Sequence, residues 1–432
     1  MNQIEQLYEI YLRTRCVTTD SRRITPGCIF FALKGETFDG NLFARQALQD
    51  GASLCVVSDP QLEGVEGCMV VEDVLVVLQN LARHHRDSLS IPVVGITGTN
   101  GKTTTKELVN AVLSRRYRVH ATQGNFNNHL GVPLTLLSMP ANTEIAIIEM
   151  GANHPGEIAF LCNIARPTCG LITNVGTAHI EGFGSFEGVV NTKTELYRHL
   201  AATEGSVVFV NADNPILMER AAEMKSKSYG KAENAAVKGS CAGSNPYMRF
   251  YFEDGDNVYT VQTQLLGSYN FDNAMAAVAV GQHFGVDLFD IKEALEEYAP
   301  SNNRSQFKKT ERNSLILDCY NANPSSMKAA LDNFDQLKAD NKMVILGSMK
   351  ELGVDSEKEH RHIVERLKNS GYSRIMLVGP EFAQLVEGVG EISWFSDSAM
   401  LKESLRQNPI SGATILVKGS NSNKLWTLEE LL

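Results

Sequence analysis

Three α/β domains in tandem are predicted for this chain, on three observations. Strand-like and helix-like segments alternate along its 432 residues, the pattern of mostly parallel sheets covered by helices. Segments rich in proline, serine and asparagine interrupt the alternation at 88–92 and 299–303, as linkers do. A glycine-rich turn, Thr97-Gly98-Thr99-Asn100-Gly101-Lys102-Thr103-Thr104, joins an apolar run to a helix just after the first interruption. The fold class is therefore a small N-terminal α/β domain, a central sheet carrying the glycine-rich loop, and a C-terminal Rossmann-like domain. Length agrees, at two to four domains of roughly 150 residues each.

Residues 1–90 form the first domain, with strands at 28–33, 53–57 and 69–71 and helices at 42–50 and 74–86. Pro92 disfavours helix in the residue before it and ends the linker. Residues 91–298 form the second domain. Its strands lie at 93–96, 145–149, 169–174 and 206–211, with a helix over 104–116. The hairpin 248–253 and 258–262, around Asp254-Gly255-Asp256-Asn257, reads as an antiparallel flank. Residues 299–432 form the third domain: strands at 314–319, 343–347, 374–378 and 414–418, and helices at 325–337 and 356–368. The second domain carries the loop, so the third is expected to close over its ligand.

Composition narrows the function. A 43% hydrophobic fraction fits buried cores. A net charge of −10 argues against nucleic-acid binding, which needs clustered Lys and Arg. Eight scattered cysteines, none in a Cys-x-x-Cys pair, argue against zinc or a disulfide framework and fit a reducing cytoplasm. Residues 1–11 lack the pattern of a signal peptide, and no apolar run reaches membrane-spanning length. No membrane partner is expected, and a monomer is the default.

The glycine-rich turn has the chemistry of a phosphate-binding loop. Its N–H groups and the helix start converge on anionic oxygens. Lys102 is placed to reach β- and γ-phosphates and Thr103 to hold Mg²⁺. Ile96 stands where the common pattern has its first glycine, with Gly98 the nearer one. A flexible turn is the plainer reading, and strand, loop and helix together weigh against it. Glu149 closes an apolar strand beside this loop, the place of a Mg²⁺ ligand, or simply a solvated strand end. His179 follows another strand end; by itself it reads as a hydrogen-bonded structural residue, and its shared edge with Glu149 favours the site. Lys193 reads by itself as a surface lysine on a helix. Asn270 and Asn273, three apart, are suited to a purine edge, and N-capping by Asn270 or Asp272 fits the spacing equally. Asp318 ends a strand and suits ribose hydroxyls; Asn321 and Asn323 follow it, and Ser325 reads as the next helix cap.

Together these segments resemble the Mur ligases, the ATP-dependent amide-forming enzymes of peptidoglycan synthesis. The resemblance rests on Glu149–Ile158, Ala178–Ser185, Asp318–Met327 and Leu346–Gly353, and covers nearly the whole chain in order. Within the family it points to the step that joins D-alanyl-D-alanine to UDP-N-acetylmuramoyl-tripeptide. It implies an acyl-phosphate intermediate, with Gly98, Thr99, Asn100, Gly101, Lys102, Thr103 and Thr104 around the phosphates. Thr103 would hold one Mg²⁺, and Glu149 and His179 a second. Lys193 matches a lysine that the family carbamoylates. Asn270 would contact adenine, Arg304 a phosphate and Asp318 the ribose. Asn321 and Asn323 would help bind the dipeptide, and Ser21 and Arg22 belong to the UDP-sugar region. Two positions depart from the pattern: Asn421 replaces an arginine and Asn303 a glycine. Rival readings are another Mur ligase or a folylpolyglutamate synthase, a phosphate-loop ATPase switch, and a non-catalytic UDP-sugar-binding module.

Overall fold

The computed structural model describes residues 3–176, 180–301, 304–386, 389–390 and 392–432. His179 and Asn303 lie outside the described residues.

The first domain is a parallel four-stranded sheet in the order Val17–Thr18, Ile29–Phe31, Leu54–Val57, Cys68–Val70. Successive strand residues point to opposite faces. Phe30, Cys55 and Val57 accordingly pack on one side with Ala44 and Ala47. Ile29, Phe31 and Val56 pack on the other with Leu7, Tyr11, Leu78 and Leu81. Leu7 and Tyr11 lie on the helix Gln3–Thr14, which the sequence reading left unassigned although the two are one helical turn apart.

This second face has no boundary at residue 90. The same apolar cluster continues through Leu136, Ile148 and Leu161 of the central domain. Helix Val74–Asp87 starts at an Asp73 cap that accepts from the N–H groups of Leu75 and Val76. Near its end, buried Arg86 donates to the carbonyls of Ala165, Arg166 and Leu89 at 3.0, 3.1 and 2.8 Å. Tyr11 adds a bond to the carbonyl of Leu137. The first domain is thus seated on the second through a shared core and a set of buried polar bonds.

The central sheet has nine strands, in the order Asn257–Leu266, Tyr247–Asp254, Val237–Ser244, Ser226–Gly230, Val207–Asn211, Cys169–Ile172, Val93–Thr97, Ile145–Glu149, Val119–Ala121. Only the first two pairings are antiparallel, so the expected hairpin is a flank of one continuous sheet. Val93–Thr97 lies between two other parallel strands and is buried at every residue, as parallel strands covered on both faces are. Ile96 is fully buried. The carboxyl ends of these three strands adjoin, bringing Gly98, Met150 and Thr173 to one edge.

The third domain is a six-stranded sheet in the order Gln306–Lys309, Ser314–Asp318, Thr414–Lys418, Lys342–Gly347, Arg374–Val378, Ile392–Phe395, antiparallel only at the first pair. The two edge strands and the helix Ser398–Gln407 were not anticipated. Asp318 and Lys418 close neighbouring strands.

Replacing Arg86 with Ala leaves three carbonyls without their donor, two of them, Ala165 and Arg166, in the central domain. We expect a loss of about 2–4 kcal/mol in urea unfolding, with the first-domain signal moving together with the central domain. A first domain that melts unchanged and separately would contradict the shared core.

Candidate active site

The glycine-rich loop owes its shape to what surrounds it. Gly98 has φ +144°, and a Cβ there would come within 2.0 Å of Thr173 Oγ1. Gly101 has φ +79°, and a Cβ would meet Asn273 Oδ1 at 2.5 Å. Neither position admits a side chain. The strand end at 173–174 braces the loop from behind. Thr173 Oγ1 and Asn174 Nδ2 both donate to the carbonyl of Asn100, and Asn174 Oδ1 accepts from its N–H. The helix begins at Lys102, two residues before the expected start, so Lys102, Thr103 and Thr104 form its first turn.

Lys102 Nζ folds over the loop and donates to the carbonyls of Gly98 and Thr99 at 2.8 and 3.1 Å. Burial pushes its pKa down, with Glu149 opposing and Arg304 adding to the shift. Glu149 is 1% exposed, which disposes of the solvated strand end. Its Oε2 accepts from Thr103 Oγ1 at 2.9 Å and its Oε1 from Asn127 Nδ2 at 2.8 Å. Its own N–H is held by Thr122 Oγ1. A carboxylate and a hydroxyl in contact beside the glycine-rich loop are hard oxygen donors of the kind Mg²⁺ selects.

Lys193 is not a surface lysine. It is 3% exposed, with Nζ 3.3 Å from the carbonyl of Ala152 and over the ring of Phe183. Burial, reinforced by Lys102 and opposed by Glu157 and Glu195, pushes its pKa down to about 7. Those two carboxylates fix the adjoining turn. Glu157 accepts from the N–H groups of Asn153 and His154, and Glu195 from those of Gly156 and Ala159.

Asn270 is buried, and its side chain does not cap the helix that follows. It donates to the carbonyl of Leu266 and accepts from Asn273 Nδ2, whose Oδ1 accepts from Thr105. From the third domain, Asp318 Oδ2 accepts from buried Lys418 Nζ at 2.6 Å. Lys418 also donates to the carbonyl of Asn321. The Arg304 guanidinium stacks 3.5 Å from the ring centre of Tyr320. The helix cap is Asn323, not Ser325: its side chain accepts from the N–H of Ser326, with Pro324 at the first helical position.

A cavity of about 650 Å³ lies between the central and third domains, lined by the loop, Glu149, Lys193, Asn270, Asp318 and Lys418 among others. Of the expected residues, Gly98 to Thr104, Glu149, Lys193, Asn270, Arg304, Asp318, Asn321 and Asn323 are brought together there. Ser21 and Arg22 do not line it; Arg22 is exposed and bidentate to Asp20. Lys418, Asn127, Asn174 and Tyr320 line it without having been singled out. Lys418 and Asn174 sit at the carboxyl ends of parallel strands, where that rule alone would have directed attention.

Family models match along the chain: the Mur ligase family catalytic domain at residues 13–110, the Mur ligase middle domain at 96–281, and the Mur ligase glutamate ligase domain at 303–421. A UDP-N-acetylmuramoyl-tripeptide–D-alanyl-D-alanine ligase from Bacillus subtilis (strain 168) is 37% identical over 420 residues, covering 95% of this chain and 91% of the relative. The chain belongs to the Mur ligase family. Solved structures agree with that membership. MurF from Acinetobacter baumannii superposes with a TM-score of 0.86 at 32% identity, covering 96% of this chain and 92% of that one. MurF ligase from Thermotoga maritima in complex with ADP gives 0.85 at 28%, covering 100% and 98%. This Mur ligase shares with them its three-domain α/β architecture.

Two outcomes follow from the site's packing. Gly98→Ala drives a methyl into Thr173, and we expect nucleotide affinity by calorimetry to fall at least roughly tenfold with the fold retained; unchanged affinity would contradict the brace. For Lys193, the native state is neutral above about pH 7, whereas the unfolded chain holds its proton to about 10.5. Between these values the unfolded state binds more protons, so stability rises with pH, and below pH 7 the burial cost is borne in full. Lys193→Met should therefore stabilise by a few kcal/mol at pH 6, with the gain shrinking towards pH 10. An equal gain at both pH values would contradict the buried, depressed amine.

Proposed function

We propose that this Mur ligase joins D-alanyl-D-alanine to UDP-N-acetylmuramoyl-tripeptide in the making of peptidoglycan precursor, converting ATP to ADP and phosphate. The observation that carries the reading is the single cavity in which a phosphate loop, a buried carboxylate and a buried lysine of one domain face Asp318 and Asn321 of another. The near full-length relative that bears this activity in its name supports the substrate pair.

The chemistry explains why a nucleotide is required. A carboxylate oxygen is a poor leaving group towards an amine, and phosphate is a good one. The tripeptide's terminal carboxylate attacks the γ-phosphorus, releasing ADP and giving an acyl phosphate. The dipeptide's free amine then adds to the acyl carbon, and the tetrahedral intermediate expels phosphate. Little covalent work falls to the protein, which positions the reactants and neutralises charge.

Lys102 swings from the Gly98 and Thr99 carbonyls to the β- and γ-phosphate oxygens at the start of the helix Lys102–Leu113. Thr103 and Glu149 are the residues to hold Mg²⁺, and His179 joins Glu149 for a second ion in this reading. Held by these residues, Mg²⁺ would supply Lewis-acid charge balance for phosphoryl transfer. Lys193, neutral near pH 7, adds its amine to carbon dioxide and loses a proton, leaving a carbamate. That gives the side chain a negative charge and makes it an oxygen donor in the cavity that Glu149 also lines. Asn270 contacts adenine, and Arg304, held by Tyr320, reaches a phosphate. Asp318, with Oδ2 taken by Lys418, turns Oδ1 to the ribose. Asn321 presents its amide to the dipeptide while Asn323 shapes the same segment. Ser21 and Arg22 belong to the UDP-sugar end. The enzyme acts as a monomer in the cytoplasm.

Purified enzyme should release phosphate from ATP only with a UDP-muramyl tripeptide and D-alanyl-D-alanine both present; lysine- and diaminopimelate-containing tripeptides would be compared side by side. Robust release with neither acceptor would favour an ATPase switch. Lys102→Ala should lower turnover by roughly 10²–10³-fold, and unchanged turnover would remove the loop from the reaction. Lys193→Ala should lose activity and regain part of it with added short carboxylates; loss without any rescue would count against the carbamate.

A further inference from the structure

The tip of the phosphate loop is bonded to the third domain by its side chain. Asn100 Nδ2 donates to Ser325 Oγ at 2.8 Å, Ser325 Oγ donates to Asn323 Oδ1 at 2.9 Å, and Asn323 Nδ2 donates back to Asn100 Oδ1 at 2.8 Å. The three form a closed ring in which each donates to the next, so every bond polarises its neighbour. The ring spans a domain boundary and joins residues 223 and 225 positions apart in sequence.

Both ends of the ring are anchored. The backbone of Asn100 is bonded on its N–H and its carbonyl to Thr173 and Asn174 of the central sheet. Asn323 caps the helix Pro324–Gln336 in a reciprocal box with Ser326. The segment before it is tied to the third sheet by Lys418, which holds both Asp318 and the carbonyl of Asn321. Neither end can shift without carrying its own sheet edge. With its Oδ1, one of its two amide N–H groups and its backbone N–H all engaged, the Asn100 side chain is oriented by the third domain in this arrangement.

We propose that Asn100 is a positioning residue which, through Ser325 and Asn323, sets the docking of the third domain on the phosphate loop and so aligns the incoming amine with the activated acid. This rests on the function proposed above. The ring makes the acceptor site depend on the loop's shape while leaving nucleotide contacts to the other loop residues. It assigns Asn100 to domain registration in place of phosphate binding.

The test uses the full chain and four variants: Asn100→Ala, Ser325→Ala, the double variant and Ser325→Thr. Dipeptide KM and kcat are measured by phosphate release, nucleotide affinity by calorimetry with a non-hydrolysable ATP analogue, and the separation of the central and third domains by dye-pair energy transfer. The expected result for each Ala variant is a roughly tenfold higher dipeptide KM, nucleotide affinity within about twofold of the parent, and a larger mean domain separation. The double variant should be no worse than either single one, since breaking one bond opens the ring, and Ser325→Thr should restore the parent values. Asn100→Ala weakening nucleotide binding as much as it raises dipeptide KM would overturn the proposal, as would additive losses in the double variant or unchanged domain separation. The separation is read without turnover, so an unchanged separation counts against the ring alone, whereas a parent chain inactive with the dipeptide counts against the proposed reaction.

Discussion

A carboxylate buried at the end of a parallel strand is the constraint around which the rest of this molecule is arranged. Glu149 is almost wholly removed from water, and a charge so placed must be bonded by the protein. Thr103 takes one oxygen and Asn127 the other. Because Thr103 belongs to the first turn of the helix after the glycine loop, the bond locks that helix to the neighbouring strand. Lys102, one residue earlier, is thereby carried over the loop and lies close enough to Glu149 for the two charges to interact. Two glycines without room for a side chain and two bracing residues at 173–174 complete the confinement.

The second consequence is that the cavity belongs to two domains. The central sheet presents its carboxyl edge from one side, the third sheet its own from the other, and ligands in such folds gather at those edges. Asp318 and Lys418 end adjacent strands and neutralise each other, which lets a carboxylate and an ammonium lie at a domain interface without either being left unpaired. A reaction that activates an acid in one place and delivers an amine from another suits this division.

Much of the fold was legible because its signals are local. The apolar run 93–97, the glycine turn and the helix behind it lie within some twenty residues, and Glu149 declares itself as a carboxylate closing an apolar strand. What escaped depends on distant partners. Lys193, singled out only by the family resemblance, looks from its own surroundings in the sequence like any helical lysine; its burial appears only when Phe183 and the carbonyl of Ala152 close over it. Lys418 gains meaning only from Asp318, a hundred residues earlier. The edge strand Gln306–Lys309 is short and polar, with little periodicity to detect. Pro324 hid the true cap: a proline at the first helical position places the cap one residue before it, at Asn323 rather than Ser325. The join between the first two domains was also invisible, because linker composition marks a chain crossing and says nothing of a core shared across it.

The central claim is that this buried arrangement hands a phosphoryl group to a carboxylate before any amine attacks. Isotope transfer tests it most directly. With the tripeptide's terminal carboxylate labelled with ¹⁸O, turnover in the presence of ATP and the dipeptide should move one labelled oxygen per amide bond formed into the released phosphate. Released phosphate without label, at a matching yield of amide, would mean that the carboxylate never became an acyl phosphate and would contradict the account.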